Sequence, residues 1–188
     1  MSSKINITKI IKDHWNTLYN YRTNRFSVAD LLQLFVVPTI LGTTFALFVP
    51  GTVPINSNFF NAALTSLSIF AGLLVNVIVL IYDAIQKTVK NNQSTNNNVR
   101  IKFLGELSAN ISFTIVLSII SIAVFLVISS VNVDEMSTII SNETRKVINR
   151  VVSSIVYSIV LIFLSHLLLV VKRIYPVSYT HLTLPTNR

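Results

Sequence analysis

Cysteine is absent from all 188 residues. That excludes disulfides, thiolate metal sites and thiol nucleophiles together. Charge is scarce as well: Asp, Glu, Lys and Arg make up 12% of the chain, where soluble globular domains carry about 25%. Acids are the scarcer sign, with 7 Asp and Glu against 15 Lys and Arg, and none form the paired-carboxylate spacing of general acid–base work. Glycine occurs only 4 times, so there is no glycine-rich phosphate loop and no nucleophile elbow, and no HExxH motif surrounds any histidine. These absences leave no catalytic residue, no metal-ligand set and no cofactor to assign. The chain is not expected to be an enzyme.

What is present is apolar length. Hydrophobic residues reach 52%, and most fall in four runs, 31–50, 59–82, 111–133 and 151–171, none of which contains Asp, Glu, Lys or Arg. A bilayer's hydrocarbon core takes about 20 helical residues. The expected fold is therefore all-α: a polytopic membrane protein with four transmembrane helices in an antiparallel bundle. A basic balance of +8 often signals nucleic acid, but here the cations flank apolar runs, where they set topology and meet anionic lipid heads. The lipid bilayer is the expected partner and nucleic acid is not. Lys4, Lys9, Lys12, Arg22 and Arg25 precede the first run. Lys87, Lys90, Arg100 and Lys102 lie in a polar Gln86–Lys102 loop, and Lys172 and Arg173 close the fourth run. The opposite side holds only Arg145, Lys146 and Arg150. The positive-inside rule then places both termini in the cytoplasm. Abundant Ile and Asn with sparse Gly and Ala suggest an AT-rich, bacterial coding genome, so the expected location is the inner membrane.

Residues 1–26 form a cytoplasmic amphipathic segment, and 27–175 the four-span domain. Ile7, Ile11, Trp15 and Leu18 recur at helical spacing. Two placements are open for this helix: flat on the membrane surface with its apolar face down, or packed on a cytosolic partner. Ser27-Val28-Ala29-Asp30 has the pattern of a helix start. Pro38 and Gly42 predict a kink in the first span, Pro50-Gly51 predicts its end, and the short uncharged connection predicts that the first two spans pair as a hairpin. The polar stretch at Asn91–Asn98 is of low complexity. Ile140, Glu143, Val147 and Val151 predict an amphipathic helix that continues into the fourth span.

The residues from Val177 to Thr186 resemble a translated sequencing adapter. The bases GTC TCT TAT ACA CAT CTG ACG CTG CCG ACG encode them in order. On that reading 177–188 is a non-native tail, His181 and Arg188 leave functional reasoning, and the natural sequence departs from this one near Tyr175.

The second span carries one polar face. At 100° per residue Asn61, Thr65, Ser68, Gly72, Asn76 and Asp83 lie within about 80° of one another. Thr114, Ser118 and Ser121 repeat the pattern weakly in the third span, and Ser154, Ser158 and Ser165 in the fourth. Small and polar residues mark tight helix contacts in a bilayer, or they line a water-filled path; both readings stand. Asn76 is the side chain that most needs a partner. His166 is the one ionisable group well inside a span, and His14 is the only other histidine before the tail. Asp83 ends the second span on the same side as His166, so the two are expected as a pH-sensitive pair.

A basic amphipathic N-terminus, the phrase Leu67-Ser68-Ile69-Phe70-Ala71-Gly72-Leu73-Leu74-Val75-Asn76 and two cytoplasmic termini together resemble small bacterial four-helix inner-membrane proteins, among them membrane components of anti-phage defence systems. The resemblance covers most of 1–175 and implies no active site. The expected role is non-enzymatic: a protein that forms homo-oligomers through its second span and is pore-forming or membrane-perturbing. The alternatives are an anchor or scaffold with a cytosolic protein partner, and a small-solute transporter.

Overall fold

The computed structural model describes residues 6–20, 25–48, 58–90, 96–130 and 141–182, with side chains over 6–18, 27–48, 58–90, 99–130 and 141–174. A short helix α1 (Ile7–Thr17) precedes four long ones: α2 (Val28–Phe48), α3 (Asn58–Lys90), α4 (Asn96–Ser130) and α5 (Asn142–Leu182). A two-residue antiparallel ladder, Tyr19–Asn20 with Arg25–Phe26, connects α1 to α2. Helices α2 and α3, together with Val99–Ser130 of α4 and Asn142–Ile174 of α5, are long and apolar enough to cross a membrane. The chain is a multi-span helical membrane protein.

Local chemistry explains the helix ends. Asn6 caps α1 by accepting from the Lys9 amide at 3.0 Å, and Ser27 caps α2 by accepting from the Asp30 amide at 3.3 Å; each satisfies one of the first-turn N–H groups that lack an intrahelical acceptor. Most of the expected Gln86–Lys102 loop is helix, because α3 runs to Lys90 and α4 starts at Asn96. Once a long apolar helix has nucleated, adding turns costs little. An Asp83–Lys87 ion pair of 3.0 Å and lysines near the C-terminus favour those turns. The Pro50-Gly51 stop, Asn91–Thr95 and Asp134–Ile140 lie outside the described residues.

The irregularity expected in α2 is a π-helical turn over Leu32–Val36, in which the Val37 N–H reaches back to the Leu32 carbonyl. Proline at 38 has no N–H to give to the preceding turn. A widened turn directly before it is one of the few ways a helix absorbs that loss.

The expected hairpin pairing of the first two spans is replaced by another arrangement. Helix α2 packs chiefly on α5, α3 on α4, and α4 also on α5. Two different surface patterns decide this. The buried residues of α2 are Leu34, Pro38, Gly42 and Ala46, spaced by four, and the small Gly42 and Ala46 let two backbones approach. Those of α3 include Phe60, Leu67, Leu74, Ile81 and Thr88, a seven-residue repeat suited to a long left-handed seam with α4. Phe45 of α2 and Phe59 of α3 both meet Tyr157 of α5, with ring centroids 6.3 and 5.1 Å apart.

The core forms two clusters stacked along the bundle. Phe60, Ala63 and Leu67 pack with Phe125, Val156 and Phe163 in one; Leu74 and Ile81 pack with Leu107, Ile111 and Val170 in the other. The order of these contacts makes α3 antiparallel to α4, and α4 antiparallel to α5. Phe35 lies by His166 and Phe45 by Tyr157, so α2 is antiparallel to α5 as well. One end of the bundle therefore gathers α1, the start of α2, the end of α3, the start of α4 and the end of α5.

Candidate functional site

The six residues singled out on the second span share one fate. Asn61, Thr65, Ser68, Gly72, Asn76 and Asp83 are all exposed on the outer surface of α3, opposite the Phe60–Thr88 stripe that packs on α4. Among the described residues no contact inside the bundle covers them. A Cβ added at Gly72 would meet nothing within 4 Å. Thr65 donates to the Asn61 carbonyl and Ser68 to the Leu64 carbonyl, each at 2.9 Å, so both hydroxyls are satisfied within their own helix. Among the described residues the Asn76 amide has no hydrogen-bond partner. The weaker polar stripe of α4 faces the other way: Thr114, Ser118 and Ser121 are buried and donate to carbonyls of their own helix. In α5, Ser158 is buried while Ser154 and Ser165 are only partly covered, and it is Ser153 that sits fully inside.

Asp83 and His166 are not brought together. Asp83 is exposed and paired with Lys87, whereas His166 is 1% exposed and donates from Nδ1 to the Ile162 carbonyl at 2.8 Å. The residue beside it is a second histidine, His14, with ring centroids 5.5 Å apart. The expected pair fails because α3 packs on α4 and presents Asp83 outward, while α1 fills the space next to His166.

Helix α1 packs on α4, and not through its whole apolar stripe. Ile7 and Ile11 remain 46% and 37% exposed. The packed face turns by roughly 60° at 100° per residue to bury His14 and Leu18, with Thr17 beside them. Polar pairing selects that face. His14 Nδ1 lies 2.8 Å from Asn110 Oδ1, and Thr17 Oγ1 donates to the same oxygen at 2.9 Å. Asn110 Nδ2 donates to the Glu106 carbonyl at 2.9 Å, which fixes which amide atom faces His14. The imidazole stacks on Phe113 at 3.9 Å and 5°. Phe35 of α2 meets His166 edge-on at 4.9 Å and stacks on Trp15 at 6.0 Å. Arg173 of α5 closes the cluster. It donates to the Thr17 carbonyl at 2.8 Å and reaches the Glu106 carboxylate at 3.4 Å.

Sequence reasoning singled out His166 and passed over Asn110, Thr17 and Glu106. The one signal available was the Asn110, Thr114, Ser118, Ser121 run, which marks the inner face of α4 but not what docks there. Burial pushes His14 down to about 4 from the usual 6.5, against the opposing effect of its Asn110 hydrogen bond; the nearby His166 and Arg173 charges lower it further. Among the described residues no group of three or more His, Asp or Glu is placed to hold a metal ion. The chain matches no known protein family, no curated protein and no solved structure.

Proposed function

We propose that this is a non-enzymatic membrane protein that self-associates through the outer face of α3, and that the assembly encloses that face as a permeation path. The observation that carries the reading is the outward aim of Asn61, Thr65, Ser68, Gly72, Asn76 and Asp83. A polar stripe buried within the bundle would be accounted for by packing alone. This one faces the surroundings of the monomer, and in a bilayer those surroundings are hydrocarbon. Lipid offers nothing for an amide to bond. Thr65 and Ser68 tolerate that through their own backbone, but Asn76 does not. A second copy of the chain presents the same amide and the same small residues, so contact is self-complementary.

Orientation follows from the gathered end. Lys9, Lys12, Lys87, Lys90, Arg100, Lys102, Lys172 and Arg173 lie on the segments that meet there, which supports a cytoplasmic location for that end and for both termini.

Asn76→Leu is expected to weaken self-association by roughly 3- to 30-fold, the equivalent of about 0.6–2 kcal/mol for one interhelical hydrogen bond, while the monomer keeps its helix content and thermal stability. Dilution-series crosslinking in liposomes measures the first, and circular dichroism the second. Ion flux in the same liposomes tests the path: flux lost with Asn76→Leu supports it, and wild-type protein that assembles without flux sinks it in favour of a scaffold.

A further inference from the structure

We infer that His14, packed beside His166 at the junction of α1 with the bundle, is a proton-sensitive latch, and that proton uptake by His14 releases α1. The inference does not rest on self-association through α3. Its basis is a pair of buried atoms. His14 is 0% exposed and His166 1%, and the Nε2 of each is buried with no hydrogen-bond partner among the described residues. The partners of the other nitrogens fix the tautomers. Asn110 Oδ1 and the Ile162 carbonyl are acceptors, so each Nδ1 carries the hydrogen. Each Nε2 then presents a lone pair, and in the neutral rings both lone pairs are orphaned in one aromatic pocket between Phe113 and Phe35.

A proton enters this arrangement only at a cost. Protonation places a second N–H on a ring with no acceptor for it and puts a charge where water is excluded. The charged groups around the site do not remove that cost. Arg173 of α5 adds a positive charge, offset by Glu106 of α4 at 3.4 Å and by Asp30 of α2, which also lies within its field. His166 of α5 is the neighbouring titratable group, and α1 itself contributes the partly exposed Asp13 and the exposed Lys9 and Lys12. None of the acids is hydrogen-bonded to either ring. The cheap route for a protonated His14 is outward, because α1 is a separate eleven-residue helix whose removal leaves the four spanning helices packed on one another.

The sign of the effect follows from linkage. The docked His14 holds its proton less tightly than a free one, about 4 against 6.5. Docking is therefore fully favoured above 6.5 and weakens as pH falls from there toward 4, by roughly 100-fold in the docking equilibrium for one proton.

The test uses the full chain in liposomes. Since the sequence contains no cysteine, spin labels can be placed uniquely at Asn16→Cys on α1 and Gln86→Cys on α3, both exposed positions. Electron–electron distance measurements are expected to give one narrow distance at about pH 8 and a longer population that grows below about pH 6.5. His14→Phe, which retains the stack on Phe113 and cannot take up a proton, is expected to stay docked throughout. Two results overturn the inference: a wild-type distance unchanged down to about pH 4, or the same acid transition in His14→Phe. Should His14→Phe be undocked at every pH, the imidazole nitrogen resonances of the wild type decide. A His14 titration that coincides with the distance change supports release by proton uptake, and one that does not coincide overturns it.

Discussion

Gly42→Leu is expected to detach α2 from α5 and to lower the stability of the bundle by about 3 kcal/mol or more, at the upper end of what overpacking costs. An added Cβ at Gly42 would lie 2.5 Å from Ser158 Oγ, 2.6 Å from Ser158 N and 2.7 Å from Ser158 Cα. Two of those three atoms are backbone, so no rotamer change in α5 relieves the clash and the helices must separate. Separation also loses the neighbouring contacts of Pro38 and Ala46, since dispersion falls steeply with distance. Gly42→Ala is expected to show the same direction with a smaller loss, because alanine adds only the clashing Cβ and not the further volume of leucine. Ser158→Gly is not expected to rescue either variant: it removes Oγ but leaves the backbone N and Cα in place. Thermal unfolding in detergent micelles measures the series. Gly72→Ala is the internal comparison, since its Cβ enters open space. It is expected to leave the monomer's stability unchanged or slightly raised, and to change only assembly through α3. Equal destabilisation by Gly42→Ala and Gly72→Ala would contradict the close α2–α5 approach.

Asn110→Leu is expected to undock α1 while sparing the four spanning helices. The Asn110 side-chain oxygen is the acceptor for His14 Nδ1 and for Thr17 Oγ1. Leucine leaves the His14 N–H buried without a partner, a cost of about 1–3 kcal/mol. Thr17 keeps an alternative, its own-helix bond to the His14 carbonyl at 2.7 Å, so the loss centres on the histidine. In hydrogen exchange the amides of α1 are expected to lose roughly 5- to 150-fold protection, with α4 and α5 unchanged. Uniform loss across all helices would mean that α1 is integral to the bundle rather than docked on it. Asn110→Asp separates charge from hydrogen bonding. It retains an acceptor and adds a negative charge beside the ring, which favours the imidazolium. His14 is then expected to titrate higher than in the wild type, and the acid-driven loss of docking to shrink, because the docked and free forms differ less in proton affinity.

The parts of this protein legible in its sequence are those set by local averages. Four spans follow from apolar length without charge, a property each segment carries alone, and the helix start at Ser27 follows from four adjacent residues. The polar stripe from Asn61 to Asp83 was legible as a periodicity, since 3.6 residues per turn places those positions on one face whatever surrounds them. Which way the stripe points was not legible. It depends on α3 burying its seven-residue Phe60–Thr88 pattern against α4, whereas the short connection alone predicts a hairpin with the first span. Gly42, with Pro38, predicts a kink for the same reason: from the sequence a small residue is only small, and its use as a contact with Ser158 exists once two helices cross.

The histidine site lies furthest beyond the sequence. His14 and Asn110 are 96 positions apart, and the apolar stripe of α1 pointed to Ile7 and Ile11 as the buried face. Hydrophobicity alone turns that helix one way, and the hydrogen bonds of His14 and Thr17 turn it another. The sequence by itself determined the solvent of this protein, the number of its spans and the existence of a polar face on the second. Only the tertiary structure decided that the face looks outward, that Asp83 and His166 stay apart, and that His14 joins His166 beneath α1. The physical reason is that hydropathy sums along a chain, whereas packing and buried hydrogen bonds are properties of pairs brought together by the fold.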